Sequence, residues 1–250
     1  MRLRTTARRL RLGTRLSARA TTALLGVAVA AGVGAGVAPG AHAGEAPEAV
    51  TVVNAAHRGA SAYFPENTLL SFREGIALGG DFAELDVQRS KDGELVVIHD
   101  TGLARTTNVE ELFPDRAPWK VSDFTYSEMR GLDAGSWKDP KFAGEQIPTL
   151  AESIQTIRNG RAGMLLEIKA PDLYPGIEGD VAAEMNTFPG YIRSAVSAGR
   201  LIVQSFSVDS MKAFKELEPS VPVGLLGTPT IAQLPEVATW ADQINPHHYS

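Results

Sequence analysis

The feature that most constrains the fold is an alternation, after about residue 50, of short apolar runs with helical patterns. Most of the runs are nearly continuous in apolar character, as expected for strands buried on both faces of a parallel sheet. The seven runs cover residues 50–55, 82–87, 95–98, 164–168, 201–203, 221–226 and 242–245. Alternation of this kind predicts an α/β fold, and 250 residues suit one α/β barrel as well as two small domains.

Helix-start signals lie between most of the apolar runs. Asn67 and Thr68 are capping residues ahead of one helical pattern, and Ser207 precedes another. Thr149 and Glu152 have the spacing of a capping box. These signals predict helices that connect the strands, as a (β/α) barrel requires.

The connection between the second and third runs is too short for a helix. Only residues 89–93 separate them, whereas a parallel crossover usually needs about a dozen residues or more. Lys91-Asp92-Gly93 therefore either turns a hairpin, or lies in an extended crossover between parallel strands. The polar residues 101–147 that follow are predicted to be an insertion over one end of the barrel. Seven strand candidates fall one short of eight, so either one strand has no clear sequence signal or the barrel is truncated before its eighth strand, which is the fold we expect.

The first 43 residues have the composition of a secretory signal peptide. Seven arginines and no acids lie in residues 2–19, an apolar stretch covers 23–38, and Ala41-His42-Ala43 is a small-x-small cleavage pattern. We expect cleavage near Ala43, secretion, and a domain at 44–250 that is not inserted in a membrane. An uncleaved anchor is the alternative, and Arg8-Arg9 raises the twin-arginine export route.

Charge and cysteine content exclude several classes of function. None of the 29 acidic residues lies before residue 44, and the remaining chain has a net charge near −12. This charge argues against nucleic acid or an anionic membrane as the main partner, but not against a small anionic substrate. The chain has no cysteine, which excludes disulfides, thiolate metal sites and cysteine nucleophiles. The oligomeric state is not predicted.

Acidic residues stand at the ends of two predicted strands. Glu84 and Asp86 are two residues apart in the second run, and Glu167 is near the end of the fourth. Alternate strand residues share a face, and the carboxyl ends of barrel strands meet at one mouth. Three gathered carboxylates would repel one another unless a hard divalent cation, Ca²⁺ or Mg²⁺, bound them. In the alternative, each acid pairs separately with a base such as Arg89 or Lys169.

Two histidines and two bases stand at comparable positions. His57 and Arg58 follow the first run, His99 ends the third, and Lys169 ends the fourth. A histidine pair suits general acid–base catalysis near neutral pH, although metal ligation is the other possibility. An arginine fork and a lysine charge suit a phosphate group.

The order of these residues resembles the glycerophosphodiester phosphodiesterase family. The resemblance runs from about residue 52 to 248 and implies a TIM-like (β/α)8 barrel with an insertion after the His99-Asp100 motif. The motifs that carry it are His57-Arg58-Gly59, Pro65-Glu66-Asn67-Thr68, Glu84-Leu85-Asp86-Val87, Lys91-Asp92-Gly93, Val97-Ile98-His99-Asp100, Arg105-Thr106-Thr107, Leu132-Asp133-Ala134-Gly135, Ile147-Pro148-Thr149-Leu150, Glu167-Ile168-Lys169 and Gln204-Ser205-Phe206.

The resemblance also implies a reaction and a set of roles. It implies Ca²⁺ or Mg²⁺ on the carboxylates and hydrolysis of glycerophosphodiesters to an alcohol and sn-glycerol 3-phosphate. His57 and His99 would be the acid–base pair, and Arg58 and Lys169 would contact phosphate. Two alternatives stay open: a lysophospholipase D or phospholipase-like relative, with Tyr63, Phe64 and Trp119 as an apolar rim, and a secreted protein that binds metal and phosphate without turnover.

Overall fold

A computed structural model describes residues 52–247. The predicted signal peptide and residues 44–51 lie outside the described residues, as do residues 248–250. Six of the seven strands in this part are parallel, in the order β1-β2-β4-β5-β6-β7. The strands are β1 (Ala55–Ala56), β2 (Phe82–Arg89), β3 (Leu95–Val97), β4 (Gly163–Ile168), β5 (Leu201–Ser205), β6 (Val223–Leu226) and β7 (Gln243–Asn245). All seven predicted runs thus contain or adjoin a strand, and the parallel order is that of a (β/α) barrel.

The first strand is shorter and begins later than predicted. Its two residues pair with Phe82 and Ala83 at the start of β2. Before it, Asn54 is tied to the turn ahead of β2, where its carbonyl accepts hydrogen bonds from the backbone N–H groups of Asp81 and Phe82. The prediction of a strand was therefore wrong for residues 52–54, which belong to no strand, whereas residues 50 and 51 lie outside the described residues.

The short connection after β2 is a hairpin. β3 pairs antiparallel with β2, with Val97 opposite Val87 and Leu95 opposite Arg89. Ser90 N–H donates to the carbonyl of Glu94 (2.9 Å), and Gly93 has φ = +95°, a conformation that favours glycine. The hairpin alternative is confirmed, and β3 lies off the path of parallel strands.

Helices connect the parallel strands as the capping signals indicated. Thr68 caps the first helix with its side chain, Thr149 and Glu152 form a capping box, and Ser207 caps a later helix. The α-helices are α1 (Leu69–Ala77), α2 (Val109–Leu112), α3 (Tyr126–Arg130), α4 (Leu150–Gly160), α5 (Ile177–Asn186), α6 (Tyr191–Ser197), α7 (Val208–Leu217) and α8 (Leu234–Val237). Among residues 52–247 no helix combines the length and apolar character needed to cross a bilayer.

Two hydrophobic clusters stabilise this part of the chain. The larger one joins the parallel strands to the helices and includes Phe72, Leu85, Leu166 and Phe214. The smaller cluster is formed by β3 and the segment that follows it. It contains Val96, Ile98, Leu103, Val109, Val121, Phe124, Met129, Leu132, Ala134 and Ile147. The segment after β3 therefore has a core of its own, which fixes the loops next to the carboxyl ends of the strands.

Candidate active site

The three predicted acids meet at the carboxyl ends of β2 and β4. Asp86 and Glu167 are direct partners in the parallel register, and Glu84 lies two residues before Asp86 on the same face. One oxygen from each carboxylate lies within 4.8 Å of the others, and all three residues are buried. We call Glu84, Asp86 and Glu167 the acidic centre.

The acidic centre is electrostatically costly by itself. Burial, followed by the charge of Asp86, raises the pKa of Glu84 well above its ordinary value and raises that of Glu167 as well. Asp86 Oδ1 is buried and accepts no hydrogen bond. A divalent cation with a preference for hard oxygen ligands would fill that free position and offset the repulsion. The donor set therefore fits Ca²⁺ or Mg²⁺.

Arg58 and Lys169 flank Asp86 on its two oxygens. Arg58 Nε lies 3.5 Å from Asp86 Oδ2, and Lys169 Nζ lies 3.6 Å from Asp86 Oδ1. Lys169 Nζ also donates to Glu167 Oε1 at 2.9 Å, whereas Arg89 pairs with Asp180 and not with the centre. Separate pairing of the acids thus accounts for Glu167. Within residues 52–247 Glu84 forms no ion pair, and its Oε2 accepts a hydrogen bond from the Arg58 backbone.

The turn after β1 is shaped to bring backbone and side chain to the acidic centre. Arg58 has φ = +55°, and its N–H donates to Glu84 Oε2 at 2.6 Å. Gly59 follows at φ = +76°, where a Cβ atom would lie 2.4–2.6 Å from atoms of Ser71. Only glycine fits so close to helix α1, which explains the third residue of the His57-Arg58-Gly59 motif.

Asn67 is a site residue that the sequence analysis assigned only to helix capping. Its Nδ2 donates to Asp86 Oδ2 at 2.8 Å, and its side chain is buried. Asn67 also has φ = +55°, a conformation that asparagine tolerates better than most residues. It fixes the orientation of Asp86, while Thr68 does the capping.

His99 is held by a series of charged groups. Its Nδ1 lies 2.7 Å from Asp100 Oδ1, and Asp100 accepts two hydrogen bonds from Arg105. Arg105 also donates twice to Glu66, at 2.8 and 3.0 Å, and Glu66 in turn accepts from Arg58. We call Glu66, Arg105 and Asp100 the ion-pair chain.

The carboxylate pKa values in the ion-pair chain are lowered, whereas those of Glu84 and Glu167 in the acidic centre are raised. Hydrogen bonding to Arg105 holds the pKa of Asp100 at about 2. Burial alone would raise the pKa of Glu66, but hydrogen bonds and charge from Arg105 and Arg58 outweigh it and lower that pKa. Both carboxylates therefore stay ionised at neutral pH and keep the His99 ring oriented.

A buried glutamine fixes the backbone that carries His99. Gln88 follows Asp86 by two residues on β2, and its Nε2 donates to the carbonyls of Ile98, His99 and Asp100 at 2.8, 3.2 and 2.8 Å. Its Oε1 accepts from the hydroxyl of buried Tyr174 at 2.9 Å. Gln88 continues the alternation of Glu84 and Asp86, and this spacing was the signal that could have identified it.

His57 lines a different pocket from His99 and is more exposed. Burial of its ring, followed by the neighbouring charge of Arg58, lowers the pKa of His57 below 6.5. Asp86, His99 and Glu66 lie close enough to affect that pKa as well. The structure therefore joins five predicted site residues by direct contacts: Arg58, Glu84, Asp86, Glu167 and Lys169. His99 lines a pocket with Lys169, and His57 is near enough for Asp86 to influence its pKa. The structure adds Glu66, Asn67, Gln88, Asp100, Arg105 and Tyr174.

An open pocket of about 540 Å³ lies next to the acidic centre, with His99, Arg105 and Lys169 among its lining residues. We call it the His99 pocket. Of the three aromatic residues considered for an apolar rim, only Tyr63 is strongly exposed. Phe64 packs against Phe142, and the Trp119 indole donates to the carbonyl of Phe113. These contacts do not form an apolar rim.

Comparison with known proteins identifies this arrangement. The model of the glycerophosphoryl diester phosphodiesterase family matches residues 57–248. Glycerophosphodiester phosphodiesterases from Bacillus subtilis (37% identity; 79% of this chain, 69% of that protein) and Caldanaerobacter subterraneus (41%; 68% and 65%) are similar. The chain thus spans about two thirds of the length of these relatives.

A solved structure agrees with the sequence relatives. An Oleispira antarctica phosphodiesterase in complex with the product sn-glycerol-3-phosphate has a TM-score of 0.62 and 28% identity, covering 77% of this chain and 74% of that one. Its fold is a TIM barrel, to which the parallel strands and helices of the present structure correspond. The chain therefore belongs to the glycerophosphoryl diester phosphodiesterase family, and as such is a phosphoric diester hydrolase.

Proposed function

We propose that the protein hydrolyses glycerophosphodiesters to an alcohol and sn-glycerol 3-phosphate, with Ca²⁺ or Mg²⁺ on the acidic centre and His57 and His99 as the acid–base pair. The observation that carries the proposal is that oxygens of Glu84, Asp86 and Glu167 lie within 4.8 Å of one another. The side chains of Arg58 and Lys169 lie beside them. A bound cation would supply Lewis-acid stabilisation of the phosphoryl oxygens. The family is divalent-metal dependent in general, which supports the proposed cation.

The protein's own cations would bind and orient the phosphate. Lys169 reaches both Asp86 and Glu167, and Arg58 bridges Glu66 and Asp86. If a divalent ion neutralised the carboxylates, the side chains of Arg58 and Lys169 would be free to turn towards phosphate oxygens. Three positive groups around one phosphodiester would stabilise the charge that develops as the P–O bond to the alcohol breaks.

The two histidines differ in ways that suit two roles. Burial and the charge of Arg58 lower the pKa of His57, which favours the neutral ring that removal of a proton from an attacking hydroxyl requires. Asp100 lies next to His99 Nδ1 and stabilises its protonated form, which suits donation of a proton to the leaving alkoxide. The attacking oxygen then loses one proton and the departing alcohol oxygen gains one. Where the attacking oxygen is the substrate's own glycerol 2-hydroxyl, a water molecule must then open the cyclic phosphate to give sn-glycerol 3-phosphate.

Metal dependence is tested by chelation. With glycerophosphodiester substrate, EDTA should abolish the release of glycerol 3-phosphate, and added Ca²⁺ or Mg²⁺ should restore it. The ion that restores activity at the lower concentration identifies the preferred cofactor. Full activity in excess chelator would refute the proposed role of the acidic centre.

The roles of the histidines are tested separately from ion binding. His57→Ala and His99→Ala should each lower kcat by about 10²–10⁴-fold, because each removes a proton-transfer group. Calorimetric affinity for Ca²⁺ or Mg²⁺ should stay within about threefold of the wild type, because neither ring belongs to the acidic centre. Unchanged turnover in either variant would contradict the assignment and favour a protein that only binds.

The same variants and substrates distinguish the other candidate functions. A lysophospholipase D would release product faster from lysophosphatidylcholine than from glycerophosphocholine. The packing of Phe64 and Trp119 gives this candidate no support.

Export is a separate proposal, supported by the arginine-rich start, the apolar stretch and Ala41-His42-Ala43. A mature protein in the culture medium beginning near Gly44 would bear it out.

A further inference from the structure

The row of residues that contains Asp86 and Glu167 continues across the sheet towards β7. Register partners follow one another from Glu167 on β4 to Gln204 on β5, Gly224 on β6 and Gln243 on β7. Partners in neighbouring strands of a sheet direct their side chains to the same face. Gln204 and Gln243 therefore lie on the face of the acidic centre, where carboxylates on β2 and β4 are followed by amides on β5 and β7.

The glycine in this row brings three side-chain amides together. A Cβ atom at Gly224 would lie 2.8 Å from Asn245 Nδ2 and 3.1 Å from Gln243 Nε2, so a larger residue would displace the Asn245 amide. Asn245 reaches across β6 from β7, and its Nδ2 donates to Gln204 Oε1 at 2.7 Å. We call Gln204, Gln243 and Asn245 the amide set.

The amide set has hydrogen-bonding groups that the protein itself does not use. Gln204 is only 4% exposed, and within residues 52–247 its Nε2 has no acceptor. Because Asn245 holds the oxygen of this amide, the nitrogen is directed elsewhere and its N–H groups remain to donate. In the same part of the chain, Asn245 Oδ1 and the Gln243 side chain make no hydrogen bond. Buried polar side chains are nearly always paired, so the unused donor on Gln204 indicates a ligand.

The chemistry of the amide set suits hydroxyl groups better than phosphate. A carboxamide offers donors and an acceptor without net charge, which matches a hydroxyl group that both donates and accepts. Phosphate oxygens only accept, and Arg58, Lys169 and the cation provide for them in the proposed reaction. His99 would protonate the departing alcohol, and none of the residues that line the His99 pocket belongs to the amide set. The amide set is therefore left for the other half of the substrate.

We propose that the amide set binds the hydroxyl groups of the glycerol moiety and makes the enzyme selective for phosphate esters of glycerol. The inference rests on the proposed function, because it assigns a binding site to the part of the substrate that is released as glycerol 3-phosphate. Gln204 Nε2 donates to one hydroxyl group, and Asn245 Oδ1 and the Gln243 amide serve the other. A site built to hydrogen-bond hydroxyl groups discriminates against ligands that lack them, because its own polar groups then stay unpaired.

The test compares the calorimetric affinities of two phosphate monoesters at saturating Mg²⁺ or Ca²⁺. The two ligands present the same phosphate group, but sn-glycerol 3-phosphate carries hydroxyl groups and methyl phosphate carries none. Gln204→Met keeps the length of the side chain without its amide, and Gln243→Met does so where the side chain makes no hydrogen bond within residues 52–247. Each variant should weaken binding of sn-glycerol 3-phosphate about three- to tenfold and that of methyl phosphate less than about twofold, because only the first ligand loses a hydrogen bond.

Gln155→Met is the matched control, because Gln155 also pairs with an asparagine, Asn159, but lies on the exposed side of α4. It should leave both affinities within about twofold of the wild type. An equal loss for the two phosphates in the amide-set variants, no loss for either, or the same loss in the control would overturn the inference. Glycerol 3-phosphate release by the wild type would then leave the proposed function standing, whereas a wild type that hydrolyses no glycerophosphodiester would overturn both. Should Gln204→Met fail to fold, Gln243→Met decides, since it breaks no hydrogen bond among residues 52–247.

Discussion

The acidic centre and the ion-pair chain are neighbours joined through Arg58, yet they treat charge in opposite ways. In the acidic centre, burial and like charges raise the pKa values of Glu84 and Glu167, and one oxygen of Asp86 has no hydrogen bond. In the ion-pair chain, every carboxylate oxygen has a donor, and the pKa values of Glu66 and Asp100 are lowered.

The difference indicates that the acidic centre binds a cation and that the ion-pair chain holds the His99 ring in place. Two cations, Arg58 and Lys169, compensate the three carboxylates only in part, so a divalent ion would relieve repulsion in the acidic centre when it binds. The carboxylates of the ion-pair chain are already neutralised by Arg105 and Arg58, so this chain serves to fix the His99 ring. The predictions below test this division, beginning with the largest expected effect.

Asp86→Asn should be the most damaging change. Asp86 belongs to the acidic centre and is also the residue on which Arg58, Lys169 and Asn67 converge. We expect Ca²⁺ or Mg²⁺ binding to be lost in calorimetry and kcat/KM to fall at least about 10³-fold. The reason is that the ion, Arg58 and Lys169 all lose the carboxylate that they share.

Asp180→Asn is the matched control for this substitution. It also removes a carboxylate paired with an arginine, but Arg89 and Asp180 lie outside the acidic centre. Ion binding and kcat/KM should change less than about threefold. A comparable loss in both variants would show that the acidic centre has no special role.

Asp100→Asn should impair catalysis without affecting ion binding. It removes the charge beside His99 Nδ1 and replaces one of the two oxygens that accept from Arg105 with an amide nitrogen, which weakens the orientation of the ring. Loss of an orienting partner typically costs about 10–100-fold, which we expect in kcat. Calorimetry should give an unchanged ion affinity, and weakened ion binding would contradict the division between the two regions.

Tyr174→Phe should lower stability more than activity. It leaves Gln88 Oε1 buried without a donor, which costs about 1–3 kcal/mol of unfolding free energy. The three hydrogen bonds from Gln88 Nε2 remain, so kcat should fall by no more than about tenfold. Chemical denaturation and steady-state kinetics measure the two effects, and a stability equal to that of the wild type would contradict the role of this network.

Glu84→Gln should stabilise the ion-free protein at neutral pH. A carboxyl whose pKa is raised by folding holds more protons in the folded state, so ion-free stability falls as pH rises through that raised pKa. The amide removes this loss. We therefore expect the free energy of unfolding in EDTA to rise by about 1 kcal/mol at pH 8, and this gain to fade towards pH 5. Denaturation at the two pH values measures it, and a gain that does not depend on pH would contradict the electrostatic cause.

Local features of the fold were predictable because they depend on neighbouring residues. The apolar runs, the Thr149–Glu152 capping box and the pairing of Glu84 with Asp86 on one face follow from chain periodicity alone. The choice between hairpin and crossover after β2 did not follow, because both satisfy the local spacing. Pairing with β2 decided it.

The sequence by itself determined that acids, histidines and bases stand at the ends of apolar strands, since alternation and order along the chain are local properties. Only the tertiary structure decided that Arg105 pairs with Glu66 across 39 residues and that Gln88 holds the His99 backbone from β2. Such contacts depend on how loops from distant elements meet. The chemical groups of the site are thus readable along the chain, whereas packing of the segment after β3 against the strand ends decided how these groups pair.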